Sequence, residues 1–414
     1  MQIFLTGYNM PRVLQINTTL NWGSTGRIAE YIGRFAVDSG WECYIAHGSR
    51  YVGTSSMETY QVTNRLDEYA HYAKSLLFDR NGLGSKCATR RLVRWIETEV
   101  KPDIIHLHCI HGYYLNYQIL FEYLNKTHIP IVWTFHDCWA FTGHCAHFVE
   151  KECTRWINEG CGDCPLLGSY PKSILDNSSN NYKLKKELFT GTSCHKNIIC
   201  VSRWLENQVA KSFFSRCSRQ VIYNGIDLNA FYPKKSNIKR RLGIENKKML
   251  IGVATSWTKM KGLHDYYRLA NILPGDYVIV LIGLSKSLIN DLPPNIIGIK
   301  RTNSIEELVE FYSAADVVLN LSYAETFGLT TVEGLACGTP SIVYDVTASP
   351  ELISELTGIV VPLGDINALC KAITELINRN VPPEICRKRA EDLFDINVCI
   401  NKYLDLYKTL LANT

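Results

Sequence analysis

Two carboxylates, Glu325 and Glu333, stand with seven residues between them in the stretch 319–344, LNLSYAETFGLTTVEGLACGTPSIVY. The apolar run 316–321 predicts a strand. The loop after it holds Glu325 and Gly328, a helix starts near Thr330, and Gly338-Thr339-Pro340 breaks that helix before a second strand at 341–344. This is one β-loop-α-β unit, the grammar of a parallel sheet. Glu325 then falls in the loop and Glu333 on the first helical turn. The free N–H groups of a helix start favour an anion, and an adjacent glycine lets its backbone come close. Carboxylates flanking that anion accept hydrogen bonds from hydroxyls on either side. A nucleotide-sugar has this layout: ribose hydroxyls, a diphosphate, sugar hydroxyls. The plainer reading is a β-α unit whose acidic residues complement the helix dipole.

Other residues with chemistry lie at strand ends. The strand 12–16 runs into a loop, 17–27, whose Gly23-Ser24-Thr25-Gly26-Arg27 could cradle phosphate before a helix at about 28–37. It is not G-x-G-x-x-G, which weakens a dinucleotide reading. His108 ends the short buried-strand pattern 103–108, and His111, Tyr113 and Asn116 follow it, at the sheet edge where open α/β sheets bind ligands. They are acceptor-side candidates, or core and capping residues. His136 and Asp137 sit at the tip of the strand 129–135. An imidazole there can hydrogen-bond a sugar hydroxyl or steady developing charge, and Asp137 can cap local backbone. Lys259 and Lys261 lie in the loop between the strand 249–254 and a helix at about 263–272.

Residues 138–165 read CWAFTGHCAHFVEKECTRWINEGCGDCP, with Cys145, Cys153, Cys161 and Cys164 spaced C-x7-C-x7-C-x2-C. Four thiolates with a C-x2-C knuckle fit tetrahedral zinc, and a loop with little aliphatic core gains from a metal staple. His144 and His147 are substitute ligands. Reduced thiols or a disulfide are the other reading. Four cysteines would close the coordination sphere, so the expected zinc is structural and no catalytic metal is expected.

The elements that must position these residues follow the βα alternation of two doubly wound α/β domains. The expected boundaries are 1–232 with the cysteine-rich insertion 138–165, then 245–395, then a helix 396–414. The stretch 51–100 reads as mixed, with a helix at about 88–100, and 176–182 reads as a polar loop. The chain has 414 residues, 46% hydrophobic and 20% charged, enough for two cores. A net charge of +4 is too small to argue for nucleic acid, but suits an anionic membrane face or a diphosphate. No apolar run reaches the ~18–20 residues of a transmembrane helix. The first seventeen residues lack the basic and apolar regions of a signal peptide. Fifteen cysteines without such a signal suggest a reducing compartment.

The setting Ser322-x-x-E-T-F-G-x4-E-G-x-A-x-G-x-Pro340 resembles the signature of the retaining GT-B glycosyltransferases of family 4. The resemblance covers nearly the whole chain. N-x-G-S-T-G-R at 21–27, together with W-A-F-T-G-H-C and G-C-x-x-C-P, is similar to a bacterial polysaccharide (colanic-acid-type) subgroup. It implies a GT-B fold, two Rossmann-like domains facing across a cleft, with the acceptor on the first and the donor on the second. The last helix would return to the first domain.

By the same resemblance Glu333 binds the ribose, Glu325 holds a hydroxyl of the transferred sugar, and the backbone of Phe327, Gly328, Leu329 and Thr330 faces the phosphates. Gly23 and Gly26 lie between diphosphate and acceptor, with Arg27 on the acceptor side, and His136 contacts the donor sugar. The family pattern G-R-x4-K-G is matched at Lys261-Gly262. Its arginine position is Ser256 here, so Lys259 would have to supply the second charge, as a point charge and not a fork.

The implied reaction moves a sugar from a nucleoside-diphosphate sugar to a hydroxyl with retention, the leaving diphosphate taking the acceptor proton. The implied acceptor is a lipid-linked oligosaccharide for a surface polysaccharide. The enzyme would be cytoplasmic, peripheral to the inner membrane. A GT-B phosphorylase or epimerase would use the same phosphate loops without needing an acceptor alcohol. A non-catalytic nucleotide-sugar-binding protein would bind donor without turnover.

Overall fold

The computed structural model describes residues 10–191 and 196–413. Residues 1–9, part of the segment read for a leader, lie outside the described residues. The chain divides into two compact units. The first runs through Val201, takes Leu205–Ile222, and is completed from Ile400 onward. The second holds Ser202–Trp204 and Tyr223–Cys399.

In the first unit seven strands form one parallel sheet: β1 (Arg12–Asn17), β2 (Glu42–His47), β3 (Glu58–Gln61), β4 (Ile104–Leu107), β5 (Ile131–Phe135), β6 (Lys196–Cys200) and β7 (Ser218–Val221). Their order is β3-β2-β1-β4-β5-β6-β7. β4 and β5 are buried along their whole length, as expected for a parallel sheet covered on both faces. The helix Ile396–Ala412 joins this unit from Ile400 on. There His106 Nδ1 meets Tyr407 Oη at 2.5 Å, and Thr134 Oγ1 meets Tyr403 Oη at 3.3 Å.

The second unit has six parallel strands: β8 (Lys248–Val253), β9 (Tyr277–Ile282), β10 (Ile296–Ile299), β11 (Val317–Asn320), β12 (Ser341–Tyr344) and β13 (Gly358–Val361). Their order is β10-β9-β8-β11-β12-β13. Each sheet therefore reverses direction once, between β1 and β4 and between β8 and β11. Ligands of doubly wound folds bind at the carboxyl ends of the strands flanking such a reversal. Among the described residues no helix is long and apolar enough to cross a membrane.

By contacts the second unit takes the chain from Tyr223, whose ring packs on Phe327 and Phe394. Three expectations need correction. The mixed stretch contains a further element pair, β3 and the helix Arg65–Phe78. The supposed polar loop at 176–182 is the start of the helix Ser178–Phe189, where Asp176 Oδ1 accepts from the Ser178 N–H at 2.8 Å. Gly23 begins the helix Gly23–Asp38 and does not lie in a loop before it. A Cβ on Gly26 would lie 2.6 Å from Thr19 Oγ1, so this glycine lets the loop after β1 fold onto the first helical turn.

Candidate functional site

At the reversal in the second unit, two loops converge from β8 and β11. The β8 loop ends in the tight turn Lys259–Lys261 and Gly262, whose φ is +70°. A Cβ on Gly262 would lie 2.0 Å from the Leu321 carbonyl oxygen, so the Lys-Gly turn can press against the end of β11 only as glycine. Tyr323 N–H donates to the Met260 carbonyl at 2.8 Å and fastens the two loops. The result is an ion pair between residues far apart in sequence: Lys261 Nζ lies 2.5 Å from Glu325 Oε1. The Glu325 backbone is held in turn, its N–H donating to Thr347 Oγ1 at 2.9 Å and its carbonyl accepting from Ala348 N–H at 3.1 Å.

The helix Leu329–Ala336 starts directly beyond, capped by Gly328 at φ +104°. Its first N–H groups, on Leu329 and Thr330, have no carbonyl one turn earlier in the helix to bond to. The Phe327 ring is turned inward against Tyr223 and Phe394, leaving its backbone at the loop. Glu333 follows on the same helix, and its Oε2 accepts from Tyr312 Oη at 2.8 Å. Lys259 is exposed on the turn. Lys261, Glu325, Gly328 and the helix start are thus brought together, with Glu333 one turn along.

Sequence reasoning missed the parts that hold this arrangement. Asp265, buried, accepts from Tyr323 Oη at 2.9 Å and Tyr344 Oη at 2.8 Å, tying the helix Leu263–Ala270 to the Glu325 loop and β12. Tyr312 fixes the Glu333 carboxylate. Neither carried a signal in the sequence beyond being polar groups in apolar surroundings.

In the first unit, a hydrogen-bonded relay runs under the tips of β1, β4 and β5. Gln15 Nε2 donates to the Ala29 carbonyl at 2.8 Å, so its Oε1 accepts from His108 Nε2 at 3.0 Å. His108 Nδ1 is then an acceptor, and His136 Nε2 donates to it across 3.1 Å. The relay leaves Nδ1 of His136 as the lone-pair nitrogen. Burial keeps both rings neutral: His136 is lowered to about 4, and His108 lies well below its ordinary value through burial and its histidine neighbours.

His111 donates through Nε2 to Asp137 Oδ2 at 2.8 Å and meets Tyr170 Oη with Nδ1 at 3.0 Å. Asp137 also accepts from the Trp139 N–H at 2.9 Å, the backbone cap anticipated for it. A small pocket is lined by His108, His111, His136, Asp137 and Trp139.

Two of the acceptor-side candidates are corrected. Asn116 is buried and caps the helix Tyr117–Leu124, with Oδ1 accepting from Ile119 N–H and Nδ2 donating to the Leu83 carbonyl. Its polar atoms are spent on the fold. His108 is buried with both nitrogens engaged, which makes it a support for His136 and not a contact for an acceptor. Tyr113 packs edge-on against His71, Tyr72 and Tyr170. Arg27 is exposed on the helix Gly23–Asp38, its Nε donating to the Gly23 carbonyl at 3.0 Å.

The buried histidines carry a pH consequence. Burial lowers His71 to about 4, and burial with the neighbouring His136 takes His106 to about 3. The unfolded chain binds these protons near pH 6.5 while the native state refuses them. The stabilisation is therefore complete above about pH 6.5 and is lost as pH falls toward about 4, at up to about 1.4 kcal/mol per pH unit for each such histidine. The melting temperature should fall continuously from about pH 6.5 to about pH 4.5, and His106→Phe should flatten the fall. An unchanged melting temperature over that window would show that these rings titrate normally.

The family model described as Glycosyltransferase Family 4 matches residues 25–230, and the one described as Glycosyl transferases group 1 matches residues 234–393. A protein of Escherichia coli K12 described as a colanic acid biosynthesis glycosyl transferase is 29% identical over 232 residues, 52% of this chain and 55% of that protein. The match thus spans about half the length of that relative. Among solved structures, a sucrose-phosphate synthase from Thermosynechococcus elongatus superposes with a TM-score of 0.72 at 17% identity, covering 98% of this chain and 100% of the other. Anabaena Alr3699/HepE in complex with UDP-glucose gives 0.64 at 16% identity, covering 96% and 99%. At such identities the likeness is one of fold.

Proposed function

This chain belongs to the group 1, family 4 glycosyltransferases and has their GT-B fold, and on that premise we propose that it moves a sugar from a nucleoside-diphosphate sugar to a hydroxyl acceptor with retention at the anomeric carbon. The observation that carries this reading is the Lys261–Glu325 pair set beside the Gly328-capped helix start at the sheet reversal. The helix start and Lys261 supply positive potential for a diphosphate. Glu325 lies where a hydroxyl of the transferred sugar can donate to it, and Glu333, steered by Tyr312, takes the ribose hydroxyls. The UDP-glucose bound to the HepE protein supports a nucleotide-sugar of this general kind.

In this reading the Glu325 carboxylate is not a nucleophile. It is committed to Lys261 and to substrate hydroxyls, and among the described residues no second acid is placed beside it as in a retaining glycosidase. The acceptor oxygen attacks from the face the diphosphate leaves, and the departing phosphate oxygen takes the acceptor proton. Charge grows on the diphosphate as the bond breaks, and Lys261 with the helix N–H groups stabilises it. In the first unit, His136 is neutral with Nδ1 as its acceptor nitrogen. His108 and Gln15 hold its ring in that tautomer.

The proposed acceptor is a lipid-linked oligosaccharide in surface polysaccharide synthesis, supported by the colanic acid relative. The proposed place of work is the cytoplasmic face of the membrane, approached peripherally by a chain of net charge +4. Product analysis tests the reaction. With donor and acceptor present, the new anomeric centre should keep the donor's configuration in the proton coupling of the product, and donor should be consumed only when acceptor is present. Inverted product, or consumption without acceptor, would overturn the proposal.

A further inference from the structure

The stretch 138–165 folds without a strand, through the short turns Trp139–Phe141, Val149–Lys151 and Arg155–Asn158. Four of its five cysteines, Cys145, Cys153, Cys161 and Cys164, are free thiols lining one small pocket, together with His144 and Trp156. The C-x2-C segment is wound into a left-handed turn, with φ of +62° at Cys161, +106° at Gly162 and +43° at Asp163. Arg155 holds that turn, its Nη1 donating to the Gly162 carbonyl at 2.6 Å and the Asp163 carbonyl at 3.2 Å. Both sulfurs face backbone donors: Gly143 N–H lies 3.2 Å from Cys161 Sγ, and Leu166 supplies a backbone hydrogen bond to Cys164. Such N–H groups stabilise thiolates.

An independent observation comes from His144. Its side chain is fully buried, and its Nδ1 lies 2.5 Å from Oδ1 of the equally buried Asp79. That contact fixes the proton on Nδ1 and makes Nε2 the acceptor nitrogen. Nε2 is buried and has no hydrogen-bond partner. A lone pair in that condition costs on the order of 1–3 kcal/mol unless something fills it. A carboxylate–imidazole pair with an open Nε2 is the arrangement by which proteins present histidine to a metal. The charge also fits. Lys185 is buried within electrostatic reach of Cys145 and Cys161, and its Nζ donates to the Trp139 and Thr142 carbonyls at 2.8 and 3.0 Å; burial pulls it down to about 7, and a thiolate-rich centre beside it would favour its charged form.

Another cluster, Cys109, His111 and Asp137, has donor atoms already within 4.8 Å of one another. There both ring nitrogens of His111 are engaged, by Asp137 and Tyr170, so its imidazole presents no open lone pair. The insertion's donors do not reach that mutual spacing, so an ion would have to draw the thiols inward.

We propose that the insertion is a zinc centre, with Cys161, Cys164 and Nε2 of His144 as fixed ligands, a fourth thiolate from Cys145 or Cys153, and Asp79 as the positioning residue behind His144. Mixed nitrogen and sulfur donors of this kind select zinc among abundant divalent ions. The centre would staple these turns to the aromatic cluster of Phe141, Phe148 and Trp156 that the stretch buries.

Metal content of the full chain tests this. Protein purified under reducing conditions without chelator should carry about one zinc per chain by elemental mass spectrometry. The Cys161→Ser/Cys164→Ser variant should retain less than about a tenth of that, while Cys87→Ser, an exposed cysteine outside the insertion, should retain all of it. His144→Ala should lose zinc to a chromophoric chelator at about tenfold lower competitor concentration or less, with Asp79→Asn shifted in the same direction. Should the cysteine variant fail to fold, stripping wild type and reloading it with cobalt gives a second readout, thiolate-to-cobalt charge-transfer absorption that His144→Ala alters. Folded wild type with no zinc and no such band, or a Cys161–Cys164 disulfide in the reduced preparation, would overturn the centre. Unchanged retention and an unchanged band in His144→Ala would overturn the histidine ligand.

Discussion

Replacing Lys261 by alanine is expected to lower kcat about 10²–10³-fold with little change in melting temperature, a loss of about 2.7–4 kcal/mol of transition-state stabilisation. The reason is local. The Lys-Gly turn is fixed by the close approach of Gly262 to Leu321, so Nζ is delivered to one place and not swept over a loop. Its partner Glu325 is only 14% exposed, which makes Lys261 the charge that balances that carboxylate when a diphosphate arrives. Ser256 stands where the resembling family has an arginine, so in the proposed reading Lys261 carries the charge contact without a bidentate fork at that position. Lys259, exposed on the same turn, should matter less, with Lys259→Ala lowering kcat by under about tenfold. Single-turnover kinetics at saturating donor separates the effect from binding. A Lys261→Ala enzyme with near-normal turnover would remove this residue from the diphosphate site.

Glu333→Ala should act differently, weakening donor binding about 10–100-fold while changing kcat by less than about threefold. Hydrogen bonds from hydroxyls to a carboxylate contribute about 1.5–3 kcal/mol, and the ribose lies away from the bond that breaks. Tyr312 Oη, at 2.8 Å, steers the Glu333 carboxylate. Tyr312→Phe should therefore reproduce part of the loss, while Tyr312→Phe on top of Glu333→Ala should add little. Equilibrium binding and initial-rate kinetics on the three variants check both statements. A fall in kcat with unchanged donor affinity would place Glu333 at the reacting sugar.

Most of the parallel strands were legible because they are short apolar runs closed by glycine or polar residues, and β12 falls on the expected residues. What the runs cannot give is their order in the sheet, and the order is what puts the β8 and β11 loops side by side. β3 escaped notice because ETYQ is a polar edge strand. The helix Arg65–Phe78 escaped because Leu66, Tyr69, Leu77 and Phe78 face outward and spoil its amphipathic pattern.

In the site, residue types and spacing pointed to Glu325 and Glu333, and the family resemblance pointed to Lys261. Their pairing, across 64 residues of sequence, depends on the Gly262 contact with Leu321. His108 and Asn116 looked like ligand contacts because polar residues at a strand end suit either purpose. Only the positions of Gln15, His136 and Leu83 show that both are spent on the fold. Asp79, 65 residues before His144, could not have been assigned to it from sequence.

The most direct measurement is a calorimetric titration of the full chain with UDP-, GDP- and ADP-sugars, wild type beside Glu333→Ala. Saturable binding of one donor class by wild type, weakened at least tenfold in the variant, is the expected outcome. Folded wild type that binds none of them, with acceptor lipid present as well as absent, would contradict a nucleotide-sugar site built on Lys261, Glu325 and Glu333.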